Sequence, residues 1–210
     1  MEEFSIDVEG VELPAKVEIP EGAGAIVVFA HGTGSSRNSS RNNFVASVLR
    51  KAGLGTVLFD LLVGEEVHDP QKRSDMDLEA RRVVAVTDLV ARRAEGQGAR
   101  FGFFGSSTGA AAALLASIRS GRDVRAVVSR GGRPDLVHAE LGRVTAATLL
   151  VVGELDRMVL EINRKAHGLL QCEKKLTVVE GASHLFEERG TLEEVAELTR
   201  TWFLRHLAEG

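Results

Sequence analysis

The feature that most constrains the fold is a rhythm of short runs, 25–30, 55–60, 100–105, 124–130, 147–153 and 174–180, that are apolar or β-branched almost throughout. A strand that is apolar on both faces has to be covered on both, which is the condition of a parallel strand inside an α/β sheet. Between these runs lie stretches of helical pattern at 42–52, 76–95, 108–120, 159–170 and 192–207. In the last, Val195, Leu198, Trp202 and Phe203 recur near helical spacing on one face. Ahead of the first buried run, 4–8 and 13–19 partly alternate apolar with polar residues and are separated by Glu9-Gly10, the pattern of a half-exposed antiparallel hairpin. Strands alternating with helices after a hairpin predict an α/β fold, a doubly wound and mostly parallel sheet with helices on both faces. A length of 210 residues suits a single domain over 1–210, and no repeat, low-complexity tract or long linker divides it.

Charge and composition narrow the partners. A net charge of −4 gives no electrostatic footprint for nucleic acid, and no apolar run approaches the roughly 20 residues that span a bilayer. The start, Met1-Glu2-Glu3-Phe4, lacks the basic end and apolar run of a secretory signal, so the expectation is a cytoplasmic protein with no membrane partner. A single cysteine, Cys172, can form no internal disulfide and no cysteine cluster for zinc, and reads as a packing residue. The basic pairs Arg81-Arg82 and Arg92-Arg93 share one predicted helix with Asp77, Glu79, Asp88 and Glu95, and read as a solvated helix surface.

In a doubly wound sheet, ligands meet the protein beyond the carboxyl ends of the strands, so the chemistry is sought where each apolar run stops. The run 100–105 leads into Gly105-Ser106-Ser107-Thr108-Gly109 and then the helix former Ala110-Ala111-Ala112-Ala113-Leu114-Leu115. G-x-S-x-G between strand and helix is the context of a nucleophile elbow, in which the glycines permit a sharp turn and the helix amino end favours developing negative charge. Ser107 is the nucleophile this predicts. The dinucleotide fingerprint G-x-G-x-x-G and the Gly-Lys-Ser/Thr of a phosphate-binding loop are absent.

A serine hydroxyl is a weak nucleophile at neutral pH and needs a base, with a third group to orient that base. Gly153-Glu154-Leu155-Asp156 places a carboxylate past one strand end, and Gly181-Ala182-Ser183-His184 an imidazole past the next. Ser107, Asp156 and His184 therefore stand in a known chain order for a triad, with Glu154 the competing acid. The oxyanion pocket is expected from backbone N–H groups, with Thr108 after the nucleophile and Thr33 in His31-Gly32-Thr33-Gly34 as donors. His31 reads as an organiser of that loop, and His68, His138, His167 and His206 as surface or structural residues. Arg130 and Arg133, just past the run 124–130, lie near the same rim and could bind a substrate carboxylate. Surface ion pairing is the alternative for both. Between Arg130 and Ala147 there is room for one brief helix and no cap domain, while residues 61–75 form the longest irregular piece and the one segment able to act as a lid.

The stretches His31-Gly32-Thr33-Gly34-Ser35-Ser36, Gly105-Ser106-Ser107-Thr108-Gly109, Ser129-Arg130-Gly131-Gly132-Arg133-Pro134-Asp135 and Gly181-Ala182-Ser183-His184-Leu185-Phe186 together resemble the dienelactone-hydrolase-like group of α/β-hydrolases. The resemblance implies the α/β-hydrolase fold, the triad and oxyanion loop above, and no cofactor or metal. Dienelactone hydrolases proper carry cysteine at the elbow, whereas this chain has Ser107, which shifts the expected substrate from dienelactone toward small or short-acyl carboxylesters. The expectation is a serine hydrolase that passes through an acyl-enzyme and has a small-molecule ester as its partner. A transacylase or lactone hydrolase would use the same residues, and a catalytically idle binding module would not need to keep all three.

Overall fold

The computed structural model describes residues 2–93 and 97–207, with the backbone alone for residues 2–4. The chain opens with a hairpin, β1 (Glu2–Val8) and β2 (Val11–Glu18), paired antiparallel with Val8 opposite Val11. Both turn residues, Glu9 at φ 55° and Gly10 at φ 81°, have the positive φ that a two-residue turn needs to match strand twist. The remaining strands are β3 (Ala25–Ala30), β4 (Gly55–Phe59), β5 (Arg100–Ser106), β6 (Val124–Arg130), β7 (Ala147–Gly153) and β8 (Lys174–Val179). They join the hairpin in one eight-stranded sheet of order β1-β2-β4-β3-β5-β6-β7-β8, in which β3 to β8 pair parallel.

Among the described residues five α-helices cover the sheet: α1 (Ser40–Lys51), α2 (Met76–Arg92), α3 (Thr108–Arg119), α4 (Arg157–Leu169) and α5 (Thr191–Leu207). The end of the helix expected over 76–95 falls at 94 and 95, outside the described residues. Consecutive strand residues feed opposite layers, as the pleat requires. Val28, Phe103, Val127 and Leu150 pack with α2, α3 and the end of α4, whereas Val27, Phe29, Phe104, Val128 and Val151 pack with α1 and α5. Trp202 of α5 is buried in the second layer with its indole N–H donating to Ala147 O at 3.1 Å. Cys172 packs against the first layer and is a free thiol. Among the described residues no helix is long and apolar enough to cross a membrane.

Two connections at the carboxyl edge bear on the site. Between β6 and β7 there is only a 3-10 segment, Pro134–Arg143, and no cap. Residues 61–75 contain two 3-10 turns, Gly64–His68 and Lys72–Ser74. They fold back on α2, where Arg82 holds Glu66 through both carboxylate oxygens at 2.7 and 2.9 Å and donates to Leu61 O at 2.6 Å. This corrects the reading of α2 as a solvated charged surface. Arg81 and Arg92 are exposed, but Arg82 and Glu79 are buried, because they share the stripe of Met76, Ala80, Val83, Val86 and Val90.

Candidate active site

The elbow sits at the carboxyl end of β5, in the middle of the sheet. Ser107 has φ 53° and ψ −124°, a conformation that non-glycine residues adopt at a cost and that the surroundings must impose. They do so through hydrogen bonds from Ser107 N to Arg130 O (3.1 Å) and from Arg133 N to Ser107 O (3.0 Å). The flanking glycines are set by close approach. A Cβ on Gly105 would lie 2.3 Å from Ala110 Cα, and one on Gly109 would lie 2.3 Å from Ala30 O.

Asp156 occupies the N-cap position of α4, yet its carboxylate caps nothing there. Oδ2 instead lies 2.5 Å from His184 Nδ1. The loops that carry the two residues are stitched together by Glu154 N to Val179 O and Leu155 N to Ala182 O, both 3.0 Å. The competing acid Glu154 is turned away and accepts from Gly181 N at 2.9 Å. The imidazole lies over Gly131, where an added Cβ would be 3.4 Å from its Cε1 and Nδ1, and Gly131 is two residues from the Arg133 amide that holds the elbow. Phe186, two residues past the histidine, is buried with φ 54° and fixes this loop at a second strained point. Among the described residues no hydrogen bond joins Ser107 Oγ to the imidazole, a bond that often tightens only when substrate arrives.

The oxyanion loop differs in one respect from a pair of free amides. Thr33 N donates to Thr108 Oγ1 at 2.8 Å, and the two threonine hydroxyls are 2.9 Å apart. One of the expected donors is thus already held by the side chain of the other. His31 has both ring nitrogens committed to backbone: Nε2 accepts from Leu61 N at 2.9 Å, so Nδ1 carries the proton toward Gly32 O at 3.0 Å. Burial pushes its pKa down, against weaker upward pulls from Gly32 O and Asp60, which keeps the ring neutral.

Of the two arginines, Arg133 is held by Asp135 in a fork of two 2.8 Å bonds. Arg130 is 7% exposed with no partner for one terminal nitrogen, and burial together with nearby Arg41 lowers its pKa to about 10, which leaves it charged at neutral pH. His138 lies on the 3-10 segment near Asp135 O, and His206 beside Trp202 and Glu173. Sequence reasoning passed over Glu79 and the Thr108 hydroxyl. For Glu79 the available signal was its place on the apolar stripe of α2. Among the described residues no cluster of three or more His, Cys, Asp or Glu side chains is placed to hold a metal ion.

A strained serine at a strand-to-helix turn, on a parallel sheet ordered as described, defines an α/β-hydrolase fold. No family model matches the chain. A dienelactone hydrolase from Anabaena variabilis, known from its crystal structure, is 46% identical with a TM-score of 0.92, and the match covers 98% of each chain. This chain belongs to the dienelactone hydrolase family of α/β-hydrolases. Est1E from Butyrivibrio proteoclasticus shares the fold at a TM-score of 0.83 over 99% of each chain, with 17% identity. A Mycobacterium tuberculosis H37Rv protein that carries the provisional name of phosphoribosyl transferase is 49% identical over 206 residues. That match takes in 98% of this chain and 46% of the other, so the chain spans about half the length of the curated relatives it matches.

Proposed function

We propose that this hydrolase-fold chain is a serine hydrolase of small or short-acyl carboxylesters. The observation that carries the proposal is the contact of Asp156 with His184 at the same carboxyl edge of the sheet as a serine held at positive φ. In this reading His184 Nε2 takes the Ser107 proton as Oγ attacks the ester carbonyl, while Asp156 orients the ring and stabilises its charged form. The amide of Thr108 receives the oxyanion, and that of Thr33 joins it on exchanging its bond to Thr108 Oγ1. Collapse of the tetrahedral intermediate releases the alcohol, which takes its proton from His184, and the same histidine then activates water to free the acid. No cofactor enters these steps.

Exposed apolar side chains on the site loops support an ester with an apolar part: Leu136 follows Arg133, Leu155 precedes Asp156 and Leu185 follows His184. With only a 3-10 segment where larger hydrolases insert a cap, little of a long chain is covered, so each added methylene gains less than the roughly 0.8 kcal/mol of full burial. The transferase name belongs to relatives of which this chain matches less than half, and the Asp156–His184 pair supports acyl chemistry. The test is labelling with a fluorophosphonate, with Ser107→Ala as control, followed by kinetics on chromogenic esters of rising acyl length. Labelling that Ser107→Ala abolishes, with highest kcat/KM at short chains, is the expected result. Equal labelling of the variant would overturn the nucleophile, and a rate jump above the micelle threshold would overturn the open site.

A further inference from the structure

Against the oxyanion loop lies a cavity of about 270 Å³, bounded by that loop, residues 61–75 and α2. It adjoins the reacting centre, because Thr33 forms one wall while a Cβ on the neighbouring Gly32 would stand 2.9 Å from Ser107 Cβ and 3.6 Å from Oγ. Leu62 and Val67 give it apolar walls, Arg73 lies at its edge, and Glu79 reaches it from α2. Ser35 and His68 complete the lining, and several of the polar groups around the cavity are engaged elsewhere. His31 is bonded through both ring nitrogens, Glu66 and Arg82 hold each other, and Asp75 caps α2 through Leu78 N. Glu79 stands apart by its burial: the residue is 2% exposed, and its Oε2 has no hydrogen-bond partner among the described residues. A buried carboxyl oxygen without a partner is uncommon in native proteins and calls for an explanation.

We propose that this cavity is a substrate subsite that selects a neutral hydroxyl-bearing group on the ester, with the Glu79 carboxyl as its hydrogen-bonding partner. Charge narrows the choice. A cationic group would meet Arg73 on the cavity wall and Arg82 beside Glu79, while an anionic one would suit Arg73 but, close to Glu79, would meet the same Asp75 charge that already repels that carboxyl. A hydroxyl conflicts with neither, since a protonated carboxyl can donate to and accept from one alcohol. Burial first, and repulsion from Asp75 second, keep Glu79 in that protonated form, with its pKa pushed up to about 8 against a weaker opposing pull from Arg82. The subsite rests on the serine-hydrolase reading for the direction from which substrate enters.

Methyl glycolate and methyl propanoate differ by a hydroxyl in place of a methyl, and both fit such a cavity. The binding arm follows backbone amide shifts by NMR in Ser107→Ala protein, where the proposed nucleophile is removed. Glycolate should bind at least about tenfold tighter than propanoate and shift the amides of Thr33, Leu62 and Glu79. The turnover arm compares the glycolate-to-propanoate ratio of kcat/KM in the parent, Glu79→Gln and Glu79→Leu, so that the intrinsic reactivity of the two esters cancels. Glu79→Gln should keep most of the preference, and Glu79→Leu should lower it by roughly tenfold or more. Should Glu79→Leu not fold, the binding arm decides alone. Equal binding of the two esters, shifts confined to other surfaces, or a ratio unchanged in Glu79→Leu would overturn the subsite. Turnover with an unchanged ratio would leave the hydrolase reading standing, whereas cavity shifts without turnover of either ester would leave the subsite standing and remove the hydrolase.

Discussion

Replacing Glu79 with glutamine should change how stability depends on pH, and the size of the change follows from the burial of one carboxyl. Desolvation and the charge of Asp75 raise the folded-state pKa to about 8 from an ordinary 4.5, with Arg82 opposing. Between those values the unfolded chain releases a proton that the native state retains. Stability therefore falls as pH rises from 4.5 through 8 and is level outside that window. At about 1.4 kcal/mol per pH unit within the window, the penalty is about 1 kcal/mol at pH 5, about 3 kcal/mol at pH 7 and about 5 kcal/mol above pH 8. A glutamine side chain has the same shape and does not titrate in this range, so the variant escapes the penalty. At roughly 2–4 °C per kcal/mol for a chain of this size, Glu79→Gln should melt about 6–12 °C higher at pH 7. The assay is a series of thermal melts by circular dichroism from pH 5 to pH 9 on both proteins. The two curves of Tm against pH should lie close at pH 5 and diverge toward pH 8. Curves that run parallel over the whole range would refute the reasoning, and would remove the protonated donor on which the subsite depends.

Asp156→Asn should preserve the melting temperature and lower kcat by on the order of 10⁴ if the carboxylate orients the imidazole, and steady-state kinetics on a short ester checks it. Glu66, held by Arg82 with a pKa of about 2, contributes stability that is full above its ordinary 4.5 and is lost as pH falls through about 2. Glu66→Gln should flatten that acid limb and, by releasing residues 61–75 from Arg82, speed limited proteolysis within that segment; unchanged cleavage would show the loop is held by other contacts. Arg130 is charged, buried and short of a partner, while Arg133 is already forked onto Asp135. Arg130→Ala should therefore lower kcat/KM on acidic esters more than on neutral ones, and Arg133→Ala should do so less. Equal effects on both ester classes would end the carboxylate-binding idea.

The sheet and the placing of Ser107, Asp156 and His184 at its carboxyl edge are legible in the sequence for the same physical reason. Parallel strands buried on both faces leave continuous apolar runs, and a doubly wound sheet gathers the carboxyl ends of those runs along one edge. A residue's distance from the end of a run therefore says where it lies in space. Ser107 and the loops of Asp156 and His184 all follow run ends, so no knowledge of the tertiary packing is needed to group them. Choosing Asp156 over Glu154 is different in kind, since both follow the same strand. It depends on which way each side chain leaves the turn after Gly153, and the structure gives the imidazole to Asp156 and the Gly181 amide to Glu154.

Glu79 and Arg82 lie where this mapping ends. Three residues apart on α2, both interrupt an apolar stripe, and a charge on a helix ordinarily reads as solvent-facing. Their burial is decided by residues 61–75, an irregular segment whose path has no periodicity to read, and which brings Glu66 to Arg82 and Leu62 and Val67 to the cavity above Glu79. The same segment gives the two charges opposite outcomes. Arg82 receives a carboxylate and a carbonyl, whereas Glu79 receives apolar walls and an unpartnered oxygen. A loop serving only to cover α2 could have satisfied both groups or placed an apolar residue at position 79. An unsatisfied carboxyl in a cavity shared with Thr33 is what a site awaiting a hydrogen-bonding ligand requires, and Glu79→Leu separates that account from one in which the residue serves packing alone.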